Sequence, residues 1–120
     1  PTVNHLVSTI NGTLPESADA IDLLKTCFPG GSVTGAPKIR SMQIIEELEP
    51  VRRGIYCGSI GYISFGGNMS TNIAIRTTII SDNRVYLQVG GGIVADSDHE
   101  SEYQETLQKG MGLMRAIELD

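Results

Sequence analysis

Residues 62–109 constrain the fold more than any other part of the sequence. They contain a glycine-rich turn, β-branched residues at alternate positions, a triple glycine and then a polar helical segment. Alternation of this kind is typical of half-buried strands, and glycine pairs between such runs are typical of hairpin turns. The segment therefore predicts antiparallel strands that lead directly into a long helix.

Periodicity extends this interpretation over the whole chain. Strands are predicted at residues 3–10, 56–65, 71–80 and 85–89. Helices are predicted from the N-cap Ser17 to residue 28, over 36–48 and over 98–118. Ser97 and Glu100 match a capping box at the start of the last helix.

Composition excludes several classes of partner. The chain has 120 residues and a formal net charge of -5, with 19% charged residues. It has no Lys/Arg cluster to neutralise phosphates, so we expect no nucleic acid or membrane partner. No apolar run approaches the roughly 20 residues of a spanning helix. Cys27 and Cys57 fit reduced thiols in a cytoplasmic protein better than a disulfide framework.

Three charged residues of the last helix share one face. Glu102 and Glu105 are three residues apart, and Glu105 and Lys109 are four apart, so their side chains point the same way. This face is either a solvated helix surface with a favourable Glu-Lys pair or one side of a site for a metal ion and an anion.

The first glycine-rich loop, residues 30–38, runs into a helix N-terminus, where free N–H groups favour an anion. It is not a P-loop, because Ala36-Pro37 stands where Lys-Ser/Thr is required. Ser32 and Thr34 are either ligand contacts or helix caps.

The triple glycine formally matches a dinucleotide fingerprint through Gly90, Gly92 and Ala95. We reject a dinucleotide site for two reasons. Acidic residues lie at the helix N-terminus, where the pyrophosphate would bind, and no second strand that carries an acidic residue follows the helix. Gly90, Gly91 and Gly92 either let the backbone approach a ligand closely or form a tight turn.

Two further residues allow two interpretations each. Arg76 is predicted in mid-strand. It either binds a carboxylate through two N–H groups of its guanidinium or lies on the sheet surface paired with an acidic residue. His5 is either a proton-transfer group or a hydrogen-bonded core histidine.

Several long motifs together resemble the C-terminal part of the chorismate-utilising enzymes, in order and over nearly the whole chain. They include His5-Leu6-Val7-Ser8-Thr9, Pro29-Gly30-Gly31-Ser32-Val33-Thr34-Gly35-Ala36-Pro37-Lys38, Gly58-Ser59-Ile60-Gly61-Tyr62, Gly67-Asn68-Met69-Ser70-Thr71, Ala74-Ile75-Arg76-Thr77, Gly91-Gly92-Ile93-Val94-Ala95-Asp96-Ser97 and Glu102-Tyr103-Gln104-Glu105-Thr106. The resemblance implies an α+β fold of stacked antiparallel sheets with outer helices. It also implies that residues 1–120 are the C-terminal part of a longer chorismate-binding domain.

The same resemblance implies roles for individual residues. Glu105, with Glu102 close by, is expected to hold the magnesium ion that binds the chorismate carboxylate. His5 is expected to help the ring hydroxyl depart. The remaining substrate contacts that the resemblance implies are Ser32, Tyr56, Arg76, Gly90, Gly91, Gly92 and Lys109.

The likeness is greatest to the branch that aminates chorismate to 4-amino-4-deoxychorismate, using ammonia from a glutamine amidotransferase subunit. Anthranilate synthases are the near alternative; they typically have Ala-Thr where this chain has Gly31-Ser32 and Gly-Ala-Val-Gly where it has Gly58-Ser59-Ile60-Gly61. Complete enzymes of the aminating branch also carry a Pro-Ile-Lys-Gly-Thr segment, whose lysine attacks chorismate, and further glutamates. These 120 residues lack that segment, so a noncatalytic chorismate-binding module is the alternative from another class.

Overall fold

A computed structural model describes residues 7–118 of the chain. Within that range three helices are followed by two antiparallel hairpins and a fourth helix, which confirms the predicted α+β class. In chain order the elements are α1 (Ala20–Cys27), α2 (Gly31–Thr34), α3 (Lys38–Leu48), β1 (Ser59–Ile63), β2 (Met69–Ile73), β3 (Thr78–Ser81), β4 (Arg84–Leu87) and α4 (His99–Ile117).

The helices begin at different caps from those predicted. Asp19, not Ser17, caps α1 by accepting from the N–H groups of Ile21 and Asp22, and Asp22 completes a capping box. Asp98, not Ser97, caps α4 by accepting from the N–H of Ser101. A carboxylate is a strong N-cap, and it is also favoured by the positive end of the helix dipole.

The predicted strand over residues 71–80 is wrong in one important respect, because it is two strands. β1 pairs with β2 in one sheet, whereas β3 pairs with β4 in another. Between β2 and β3, Ala74 is fully buried and exchanges hydrogen bonds with Cys57 and Gly58 at 2.9 Å each. Arg76 then adopts a left-handed φ of 50°, which ends the extended conformation.

Other predicted bounds change at their ends. The strand predicted at 56–65 is limited to β1, and the one at 85–89 becomes β4. Of the strand predicted at 3–10, residues 3–6 lie outside the described residues, and residues 7–10 are not in a strand. The four-residue helix α2 was not predicted, because so short a helix carries no periodic signal.

Apolar burial in the described residues is slight. Cys57 and Ala74 are the buried apolar residues, whereas Phe65, Ile39 and Leu48 are largely exposed. The radius of gyration is 17.0 Å, compared with roughly 13.6 Å expected for a compact domain of this length. Residues 7–118 therefore do not enclose a substantial hydrophobic core. None of their helices has the length and apolar character needed to span a bilayer.

Candidate functional site

The triple glycine and α4 are in contact with each other in the predicted site. Nζ of Lys109 donates to the carbonyl oxygen of Gly90 over 3.4 Å. A Cβ atom placed on Gly91 would lie 2.8 Å from Oε2 of Glu102, so the glycine allows that carboxylate to approach the backbone. We refer to Gly90, Gly91, Glu102, Lys109 and its ion-pair partner Glu105 as the glycine cluster.

The triple glycine is not explained by a tight left-handed turn. Gly90, Gly91 and Gly92 all lie outside the positive-φ region, so an L-residue could adopt their backbone conformation. What they provide at 90 and 91 is space for neighbouring side chains. These contacts are made by the protein's own Tyr56 and Glu102 side chains, so close approach of a ligand to the triple glycine stays a prediction.

The charged groups of α4 are held by different partners. Lys109 forms an ion pair with Glu105, as their i, i+4 spacing predicts. Oε1 of Glu102 instead accepts a 2.6 Å hydrogen bond from the Ser97 hydroxyl, whose oxygen also accepts from the N–H of Val94 at 3.0 Å. The loop before α4 therefore fixes one carboxylate, while the other balances the lysine charge.

Tyr56 connects this cluster to the other half of the chain. Its hydroxyl lies 3.1 Å from the Cβ position of Gly90, so it faces the triple glycine. Burial, followed by the neighbouring Cys57 thiol, raises the pKa of the Tyr56 phenol, while Arg53 acts in the opposite direction. The phenol is therefore protonated at neutral pH and can donate a hydrogen bond.

Arg53 lies over the Tyr56 ring, with its guanidinium carbon 5.8 Å from the ring centroid. Its Nε and Nη2 donate to the Glu49 carboxylate, and its Nη1 donates to the carbonyl oxygen of Val33 over 2.7 Å. The hydrogen bonds to Glu49 raise the pKa of the guanidinium above its ordinary value. We refer to Val33, Glu49, Arg53 and Tyr56 as the arginine cluster.

Sequence reasoning missed Arg53 as a functional candidate. The signal was the i, i+4 spacing of Glu49 and Arg53, which predicts an ion pair. That spacing gives no indication of the contact with Val33, which is 20 residues away in the chain.

Ser32 lies in α2, next to Val33, and is exposed. The interpretation of Ser32 or Thr34 as a helix cap is wrong, because neither α2 nor α3 has a side-chain cap. The Thr34 hydroxyl donates to the carbonyl oxygen of Gly30, within the same turn. The role of Ser32 in binding substrate stays a prediction.

Arg76 is not in mid-strand, so the argument that placed it on a strand face is wrong. It is an exposed residue in the bend between the two hairpins, and no ion pair with it occurs within residues 7–118. The surface-pair alternative therefore also lacks support in the described part of the chain. His5 lies outside the described residues.

A cavity of about 430 Å³ opens between α3 and the segment that precedes β1. Its lining includes Phe28, Met42, Arg53 and Cys57, and of the residues predicted to bind substrate it contains only Tyr56. No residue of the glycine cluster lines the cavity, whereas Glu49, Arg53 and Tyr56 of the arginine cluster do.

Glu102 and Glu105 are the predicted metal ligands. Within the described residues no group of three His, Cys, Asp or Glu side chains is arranged to hold a metal ion. Magnesium, however, is commonly held by one or two carboxylates with the remaining positions taken by water or substrate. Two carboxylates one turn apart, beside an exposed backbone segment, have the oxygen donors that such an ion takes.

Comparison with known proteins gives a consistent family. The model of chorismate binding enzymes matches residues 1–115. The chain is 57% identical over 118 residues to aminodeoxychorismate synthase component 1 of Escherichia coli. It is 58% identical over 117 residues to anthranilate synthase component 1 of Aquifex aeolicus.

These alignments cover 98% of this chain but only 26% of the Escherichia coli protein and 24% of the Aquifex aeolicus protein. The chain thus spans about a quarter of the length of these relatives. Its match to the family model covers nearly all of its own residues. The chain belongs to the family of chorismate binding enzymes.

Proposed function

We propose that this chain forms part of the chorismate site of a magnesium-dependent aminodeoxychorismate synthase component I. In the complete enzyme, ammonia from a glutamine amidotransferase subunit replaces the ring hydroxyl of chorismate, giving 4-amino-4-deoxychorismate and water. The family membership and the 57% identity to an enzyme of that name support the proposal.

The observation that carries the proposal is the contact of α4 with the triple glycine. Lys109 reaches the carbonyl oxygen of Gly90, and Gly91 and Gly92 are exposed. A lysine ammonium beside accessible backbone amides is a suitable environment for a carboxylate. Chorismate carries two carboxylates, so this cluster suits one end of that substrate.

Tyr56 and the two glutamates have complementary parts in this proposal. A protonated Tyr56 beside Gly90 would donate a hydrogen bond to substrate. Glu102 and Glu105 would hold the magnesium ion, and the ion would neutralise the charge of a substrate carboxylate. The Ser97 hydroxyl would orient Glu102 through its 2.6 Å hydrogen bond.

Identity alone does not select the reaction, because it is 57% to the aminodeoxychorismate synthase and 58% to the anthranilate synthase. The residues Gly31-Ser32 and Ser59-Ile60 favour the aminodeoxychorismate branch, which they resemble. Anthranilate synthase component I is the second candidate, favoured by the identity to the Aquifex aeolicus protein.

The reaction can be tested with two hybrid enzymes. In each, this chain replaces the matching segment of a relative, either the Escherichia coli or the Aquifex aeolicus protein. Activity is measured with chorismate, ammonia and magnesium, and compared with the respective parent. We expect the first hybrid to retain most of its parent's kcat/KM and the second to lose more; the opposite order would favour anthranilate synthase.

A double substitution tests which residues decide the branch. Gly31→Ala has no atom within 4 Å of the new Cβ, so it changes the chemistry of the loop without a clash. We expect Gly31→Ala with Ser32→Thr to improve the second hybrid and impair the first. No change in either hybrid would remove this loop as the source of specificity. The 120-residue chain by itself is expected to aminate no chorismate, because it lacks the lysine segment that the resemblance requires.

A further inference from the structure

We propose that Arg53 is a positioning residue that fixes the Ser32 segment relative to Tyr56. The inference rests on the proposed function, since it concerns the arrangement of two predicted substrate contacts. Within residues 7–118 the hydrogen-bond partners of Arg53 are Glu49 and Val33, and Ser32 is not among them. Arg53 acts through Val33 and through the Tyr56 ring.

The first step concerns Val33, the residue after Ser32. Its carbonyl belongs to the last turn of the four-residue helix α2, where carbonyl groups lack partners within the helix. Nη1 of Arg53 donates to this oxygen over 2.7 Å, in a half-buried environment. Arg53 thus supplies the C-terminal hydrogen bond that α2 cannot make by itself, and it thereby holds the backbone next to Ser32.

The second step concerns the orientation of the guanidinium. Nε and Nη2 both donate to the Glu49 carboxylate, at 2.9 and 2.5 Å for the shortest pairs. A two-pronged pair of this kind fixes the plane of the guanidinium and leaves Nη1 directed elsewhere. Glu49 is the C-cap of α3, so the orientation of Arg53 is set by the end of that helix.

The third step concerns Tyr56. The fixed guanidinium lies 5.8 Å from the Tyr56 ring centroid, within the range of a cation–π contact. The hydroxyl at the far end of the same ring faces Gly90. One side chain therefore connects α2, the end of α3 and the residue that reaches the triple glycine.

The neighbouring arginine provides a matched control. Arg52 also pairs with a glutamate, Glu46, at 2.8 Å, but the two side chains are 86% and 62% exposed. The corresponding values for Arg53 and Glu49 are 22% and 37%. Arg52→Lys therefore changes the same residue type in an exposed pair, whereas Arg53→Lys removes a planar group with three directed contacts.

The first measurement is hydrogen exchange of the amides of residues 31–35 in the Escherichia coli hybrid, for both variants. Arg53→Lys should speed exchange there about tenfold, since lysine keeps the charge but cannot hold Glu49 and Val33 together. Arg52→Lys should leave it unchanged. Equal exchange in the two variants would overturn the proposal, and this readout does not depend on chorismate.

The second measurement is the kinetics of the same hybrid. Arg53→Lys should raise KM for chorismate about tenfold with a smaller change in kcat, and Glu49→Gln should act in the same direction. An unchanged KM together with a lower melting temperature would show a purely structural role and would overturn the proposal. A hybrid that shows the exchange effect but binds no chorismate would contradict the proposed function and leave the positioning of Ser32 established.

Discussion

The arginine cluster and the glycine cluster are held together in different ways. In the arginine cluster, the hydrogen bond from Arg53 to Val33 joins the loop after α3 to the helix α2. In the glycine cluster, the ion pair of Lys109 with Glu105 lies within a single helix, and the contact with Gly90 comes from the segment just before it. The first cluster depends on tertiary contacts, whereas local spacing along α4 determines much of the second.

This difference predicts that substitutions in the glycine cluster act directly on the reaction, whereas substitutions in the arginine cluster act on the position of Ser32 relative to Tyr56 and therefore mainly on KM. The two clusters meet where the Tyr56 hydroxyl faces Gly90. Substitutions in one cluster that leave the other intact can therefore test the comparison.

The largest effect is expected for Glu105→Ala in the Escherichia coli hybrid. The change removes a predicted metal ligand and leaves Lys109 without its ion-pair partner. We expect a loss in kcat/KM on the order of a hundredfold, the equivalent of a charged hydrogen bond. The measurement is steady-state amination of chorismate at several magnesium concentrations.

Glu100→Ala is the control for that experiment. Glu100 also lies on α4, but it is exposed and accepts only from the Gln104 side chain, at 2.8 Å. Its kinetics should remain close to those of the parent hybrid. Equal losses in the two variants would contradict a special role for the face that contains Glu105.

Gly61→Ala should have the next largest effect, on stability. A Cβ atom there would lie 2.7 Å from Cα of Thr71 and closer still to the carbonyl oxygen of Ser70, so the paired strands would have to separate. We expect the free energy of unfolding of the hybrid to fall by about 2 kcal/mol, measured by urea denaturation. At Gly66 a Cβ meets only the Ser64 hydroxyl at 3.9 Å, so Gly66→Ala should be nearly neutral. Similar urea midpoints for the Gly61→Ala and Gly66→Ala variants would contradict the predicted clash.

Periodicity predicted α4 nearly correctly, because its spacing is regular over five turns and its ion pair is local. It failed at residues 74–77, where Ile73, Ile75, Thr77 and Ile79 continue the alternation of a strand without interruption. The break comes from the pairing of Ala74 with Cys57 and from the left-handed Arg76, and neither is encoded in local hydrophobicity. Tertiary hydrogen bonding thus overrides the local pattern at this position.

In the candidate site too, local spacing predicted some contacts, whereas tertiary contacts could not be predicted. The spacing along α4 predicted that Glu105 and Lys109 share a face, and they form an ion pair. The contact of Glu102 with Ser97 and the arrangement around Arg53 depend on loop backbone, so residue spacing could not predict them.

Arg76→Lys tests the segment between the two hairpins. Arginine and lysine carry the same charge, and both are equally disfavoured at a φ of 50°. The exchange therefore removes only the planar set of N–H donors of the guanidinium. We expect KM for chorismate to rise roughly tenfold in the hybrid, with little change in melting temperature. Arg84→Lys, on exposed β4, is the control and should alter neither quantity. A lower melting temperature with normal kinetics would exclude Arg76 from the site.

The smallest effect is expected from the cap of α4, and it should depend on pH. The Asp98 carboxylate accepts hydrogen bonds from the N–H and the hydroxyl of Ser101, both at 2.9 Å, and these bonds lower its pKa below the ordinary value. Since the folded pKa is lower than the unfolded one, the cap stabilises fully above the unfolded value. That stabilisation is lost as the pH falls through the folded pKa.

Asp98→Asn keeps an oxygen that can cap the helix but removes the titration. The melting temperature of the hybrid should therefore fall less steeply for this variant than for the parent between about pH 5 and pH 2. Asp96→Asn is the matched control, because Asp96 is exposed and precedes the helix, so it should follow the parent. Parallel curves for all three proteins would show that the Asp98 carboxylate makes no contribution that depends on its ionisation. A shallower curve for Asp98→Asn alone would place an acid-sensitive contact at the start of the helix that carries Glu102, Glu105 and Lys109.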